Sequence, residues 1–218
     1  MTNTFLFSRE HLIILFIFAI FMYFCNRLTK NLLPYSYVVE KIICWLIILE
    51  IVFEQVSIIS MGNYNTLSSL PIGISRFCAY ICIAILFFKQ YHLFNVFFSW
   101  SLVCSIGEII LFKEIPYRFP NILYFLFIFS KVLLIYANVY IVEVRKFKIN
   151  KYAIRDNLIA CILYFSFILL LNIITSANYS YSFSALNLTG ILVFFLITTA
   201  VYIPVFISDR EIFKFKNK

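Results

Sequence analysis

Seven apolar stretches, each close to the length that crosses a bilayer, follow one another along the chain: 11–28, 42–61, 71–88, 92–112, 121–142, 158–175 and 188–208. A crossing needs about 20 apolar residues, range roughly 17–25. Backbone polar groups have no water to bond to in lipid, so such stretches fold as helices. Hydrophobic residues make up 63% of the 218 positions and charged residues 13%, where soluble domains hold about 45–50% and about 25%. That much apolar surface, with a mean hydropathy of +0.96, does not fit inside one water-soluble core. The expected architecture is an all-α, polytopic membrane bundle of seven transmembrane helices, one domain over residues 1–218. The first span is the weakest, because Asn26 and Arg27 interrupt it. A signal peptide competes there, but Arg9 and Glu10 cancel and no small-residue cleavage site follows.

The segments between spans set the orientation. Thirteen of the 18 lysines and arginines fall on one side of this arrangement, most densely in Glu143–Asp156 and in the carboxyl-terminal tail. Arg9, Lys113 and Arg118 fall on the other. Under the positive-inside rule the amino terminus lies outside and the carboxyl terminus inside. The same placement removes the obvious reading of a +8 net charge. The cations are orientation signals and the aromatics are the bulk of helices, so no nucleic-acid partner is expected. With 27 Phe, 15 Tyr and only 4 Gly, the composition fits AT-rich coding, and a bacterial cell membrane is the expected location of this multi-pass chain. The bilayer is its first partner.

Six cysteines lie in or beside the apolar spans and only two histidines exist, His11 and His92. They form no zinc pattern, no cofactor is expected, and the cysteines read as small apolar helix residues. There is no HExxH, glycine-rich phosphate loop or nucleophile elbow.

The remaining ionisable residues are the informative ones. Glu50 and Glu54 stand four apart, hence on one helix face, late in the second span. A short uncharged connection, Gly62–Ser69, leads to Pro71, read as opening the third span, with Arg76 soon after. Ser101, Ser105 and Glu108 form a stripe on the fourth span; Tyr124, Lys131 and Asn138 recur every seven residues on the fifth. A charge at mid-membrane costs roughly 2.5–3.5 kcal/mol on insertion scales, so such residues mark a site or a buried pair. The expected topology puts Glu50, Glu54, Arg76, Glu108 and Lys131 in one layer, from mid-membrane to the outer face. Three acids and two bases there describe an outward-opening pocket and a structural ion network equally well. Glu50 with Arg76 is a salt bridge between two helices, or part of a substrate or proton site. Lys131 is an anion clamp or tuned base, or the partner of Glu108 or Glu54. A Ser75–Lys131 dyad is a further arrangement. Asn178, Tyr179 and Tyr181 read as a polar loop with interfacial tyrosines, and Pro204 as a kink.

Three segments carry a family resemblance: LPIGISR (Leu70 to Arg76), FIFSK (Phe127 to Lys131) and NYSYS (Asn178 to Ser182). In this order, over about Ile42 to Ser182, the chain resembles the YwaF-like integral membrane proteins, related to transmembrane protein 164. The resemblance implies a helical membrane fold, a lipid-related role and a polar site containing Arg76, Asn178 and Tyr179. Relatives of the acyltransferase type use a Cys before the Arg and a His in each of the first two motifs. This chain has Gly73 and Lys131 at the His positions and Ser75 at the Cys position. Either the pocket kept its shape and lost its chemistry, or Ser75 and Lys131 form a substitute catalytic pair.

The reading is therefore an integral membrane protein with an outward-facing polar pocket for a lipid or amphiphilic small molecule. Its pocket residues are Glu50, Glu54, Arg76, Glu108, Lys131, Asn178 and Tyr179. If it is an enzyme, it is a lipid acyltransferase working through Ser75 and Lys131. The alternatives are a small transporter or substrate-binding component, and a non-enzymatic assembly or immunity-type partner of another membrane protein.

Overall fold

A computed structural model describes residues 9–31, 33–62, 64–65, 69–111, 121–175 and 188–206. These residues are helical, with short turns between: α1 (Arg9–Asn31), α2 (Ser36–Ser60), α3 (Ile74–Leu86), α4 (Phe94–Leu111), α5 (Ile122–Glu143), α6 (Ala153–Thr175) and α7 (Leu188–Ala200). Single 3-10 turns, Leu33–Tyr35 and Tyr91–Leu93, precede α2 and α4. Five helical segments are long and apolar enough to cross a membrane: Ser36–Ser60, Tyr91–Ile109, Ile122–Glu143, Ala153–Thr175 and Leu188–Phe206. Two apolar helices are shorter, Leu15–Cys25 within α1 and Ile74–Leu86. α3 is short because it starts late.

That late start has a local cause. Pro71 does not open α3; the helix begins at Ile74, with Gly73 at its N-cap in an extended conformation (φ −58°, ψ 160°). Pro71 instead offers its carbonyl to the Tyr80 hydroxyl, 2.8 Å away, which folds the approach back along the helix. α5 begins where the sequence suggested, with the Asn121 side chain accepting from the Leu123 N–H at 2.9 Å, a standard N-cap bond. Gly62 (φ 69°) turns the chain out of α2, the left-handed conformation a glycine adopts without strain. α7 breaks at Val201–Tyr202, just ahead of Pro204. Proline has no N–H to give the preceding turn.

α4 and α5 form the centre. The span of each is 61% buried, against 28% in α2 and 17% in α7. α5 packs against α1, α2, α3 and α4, while α4 also meets α6, which pairs with α7. The core seam includes Trp100 and Phe97 of α4, Tyr140 and Ile141 of α5 and Cys78, Cys82 and Ile85 of α3. Cys44, Cys78, Cys82, Cys104 and Cys161 are buried and unbridged, in keeping with small apolar packing. The outer faces are broadly apolar, with Phe16, Trp45, Phe53, Leu163, Ile173 and Leu196 exposed. Exposed apolar area on this scale is a surface for lipid.

Polar side chains staple the helices. Trp100 Nε1 donates to Asn157 Oδ1 (2.7 Å), and Asn157 Nδ2 reaches Thr198 and Thr199 (3.0 Å each). This ties α4, α6 and α7. Ser99 and Tyr202 share a 2.7 Å bond, and the Tyr202 hydroxyl lies 2.7 Å from the Asn95 carbonyl. Such bonds hold helices that lipid gives no hydrophobic reason to associate.

Candidate functional site

The charged residues of the layer come from four helices. α2 presents Glu50 and Glu54 one turn apart, and Arg76 sits in the first turn of α3. Both carboxylates meet the one guanidinium. Arg76 pairs with Glu50 through two nitrogens, Nη1 to Oε2 and Nη2 to Oε1 at 2.9 Å. Its Nη2 also lies 2.5 Å from Glu54 Oε2. The rigid fork of Arg suits such bidentate pairing. Glu50 is the deep member, its side chain 3% exposed, whereas Glu54 is 21% exposed.

Next to Arg76 in the chain, Ser75 points into the bundle. Its hydroxyl donates to Glu108 Oε1 of α4 at 2.5 Å. The other oxygen of Glu108 is 2.6 Å from Lys131 Nζ of α5. Ser75, Glu108 and Lys131 are all buried. Lys131 also lies over the Phe127 ring at 4.9 Å. The two groups are neighbours, joined by the Ser75–Arg76 peptide. Together they hold three carboxylates and two cations.

Polar residues continue down the α4–α5 seam. Asn138 donates to Ser101 Oγ (2.5 Å) and to the Phe98 carbonyl (3.2 Å). Ser105, one turn from Glu108, keeps a buried hydroxyl without a partner among the described residues, as does Asn138 Oδ1. Such groups are costly, about 1–3 kcal/mol each, so the seam carries unused hydrogen-bonding capacity.

Of the residues singled out from sequence, Glu50, Glu54, Ser75, Arg76, Glu108 and Lys131 come together. Asn178, Tyr179 and Tyr181 lie outside the described residues, as do Lys113, Arg118 and the carboxyl-terminal tail. Ser75 and Lys131 meet through Glu108; among the described residues no direct hydrogen bond links them. A second ionic cluster was not anticipated. Glu40, 2% exposed, pairs with Lys89 and with Arg145 (2.9 Å) at the far end of α2. A lone acid beside Lys41 in a basic segment was the available signal.

Chemically, Ser75 has a carboxylate as its proton acceptor. That carboxylate is already paired with Lys131. The outer pair is a guanidinium saturated by two acids, one of them reaching the surface. This arrangement suits recognition of a polar or charged group better than activation of a nucleophile.

The TMEM164 family model matches residues 6–208, nearly the whole chain. No curated protein and no solved structure shows a significant match.

Proposed function

The chain belongs to the TMEM164 family, and from that premise we propose that its charged layer is an outward-opening site for the polar part of a membrane lipid or other amphiphile. Glu54 and Arg76 form the rim, and Glu50, Glu108, Lys131 and Ser75 form the floor. Asn178 and Tyr179 join the proposal on the sequence resemblance alone. The observation that carries it is the extra carboxylate. One salt bridge between α2 and α3 needs Glu50 and Arg76 only, yet Glu54 is added at the exposed edge. Burying matched pairs is tolerable, whereas an excess charge needs a reason. The layer carries one negative charge more than its cations neutralise, which favours a cationic or hydrogen-bond-donating headgroup such as an ammonium. The role is binding rather than acyl transfer, because Ser75 and Lys131 stand where related sequences have Cys and His, and Glu108 intervenes.

The test is lipid retention. Wild-type protein purified in mild detergent and weighed by native mass spectrometry is expected to carry a bound amino-phospholipid. Glu54→Gln, which spares the Glu50–Arg76 pair, is expected to lose most of it while keeping its unfolding temperature. Unchanged retention in Glu54→Gln would leave the layer a structural ion network.

A further inference from the structure

Some 20 Å along α4 from Glu108 of the charged layer, at 1.5 Å per helical residue, a separate cavity of about 780 Å³ opens between the start of α4, the segment after α5 and the first turns of α6. Its volume falls in the usual range for ligand sites, roughly 300–1,000 Å³. Its two halves differ in chemistry. Lys146, Lys148 and Arg155 line one part, all exposed. Ile159, Ala160 and Leu163, spaced along one face of α6, line the other.

The lining is held in place. Asn95 Nδ2 donates to Asp156 Oδ2 at 2.8 Å, and Asn95 Oδ1 accepts from the Asn150 N–H at 3.1 Å. One α4 side chain therefore fixes both the α5–α6 segment and the start of α6. Phe147 packs edge-on against Tyr91 and Phe94, with ring centroids 5.0 and 5.4 Å apart. Asp156 also takes Arg155 Nη2 at 3.1 Å, so the only acid in the lining has partners already. Lys146 and Lys148 make no ion pair among the described residues. A concave wall, cationic at the membrane's edge and apolar toward its interior, matches one kind of occupant.

We infer that this cavity binds an anionic glycerophospholipid, its phosphate against Lys146, Lys148 and Arg155 and an acyl chain along Ile159 and Leu163. Basic clusters beside membrane helices attract anionic headgroups at about 1 kcal/mol per Lys or Arg. Here the cluster is joined to an apolar groove, which selects lipid over a free phosphate. The inference is independent of the charged layer and of the role proposed for it.

The full chain in neutral detergent would be titrated with dioleoyl phosphatidylglycerol, dioleoyl phosphatidylcholine and glycerol phosphate, following thermal unfolding and native-mass adducts. Phosphatidylglycerol is expected to bind at least tenfold more tightly than phosphatidylcholine, and less so at high salt. Lys148→Gln with Arg155→Gln should weaken phosphatidylglycerol roughly thirtyfold and leave phosphatidylcholine unchanged. Equal binding of the two lipids, or of glycerol phosphate and phosphatidylglycerol, would overturn the inference. If the double variant does not fold, the salt dependence of the wild type decides, and a salt-independent preference refutes it.

Discussion

Lys131 shows how much one side chain carries when it is buried with its counter-charge. It neutralises Glu108, which in turn accepts from Ser75. Removing one partner of a buried pair leaves an uncompensated charge and costs about 3–5 kcal/mol, whereas replacing both by neutral groups is often tolerated. Lys131→Met is therefore expected to destabilise the protein by about that amount, and Lys131→Met with Glu108→Gln to recover most of it. Denaturant unfolding in micelles measures both. The pairing was partly readable beforehand. Helical spacing put Ser101, Ser105 and Glu108 on one stripe and Tyr124, Lys131 and Asn138 on another, and all six are buried. Which acid Lys131 would choose was not readable, because that depends on how α4 and α5 face each other. Glu40 escaped notice for the opposite reason: it lies in a segment that reads as a solvated loop, and only the fold buries it against Lys89 and Arg145.

Helix boundaries followed apolar length well where a cap agreed with it. Asn121 is such a cap, and α5 starts beside it. Length misled at Pro71, where Tyr80 and Gly73 draw the chain into an extended approach and α3 shrinks to 13 residues. α2 and α6 both start earlier than hydropathy suggested, since their first turns are polar yet still helical. Asn157 lies in one of those turns. It bonds Trp100, Thr198 and Thr199 and so fixes α4, α6 and α7 together. Interhelical hydrogen bonds in membranes average about 0.6 kcal/mol, so Asn157→Leu should cost about 2 kcal/mol and loosen α7 first. Hydrogen exchange, read helix by helix, is the measurement, with faster exchange expected in residues 188–206 than in α5.

Across the whole molecule, charge is sorted by depth and by end. One end of the bundle carries Glu40, Lys89, Arg145 and the basic cavity; the other carries the layer around Arg76. Family membership and the apolar spans make this a multi-pass membrane protein. The direction in which it sits is an expectation from its basic segments, and an outward-opening layer depends on it. Thiol accessibility in whole cells tests both at once. In a cysteine-free background, Glu54→Cys and Lys148→Cys would each be treated with a membrane-impermeant maleimide. The account predicts that Glu54→Cys is labelled in intact cells and Lys148→Cys only after permeabilisation. Labelling of Lys148→Cys in intact cells, or a Glu54→Cys that is protected from the outside, would contradict it.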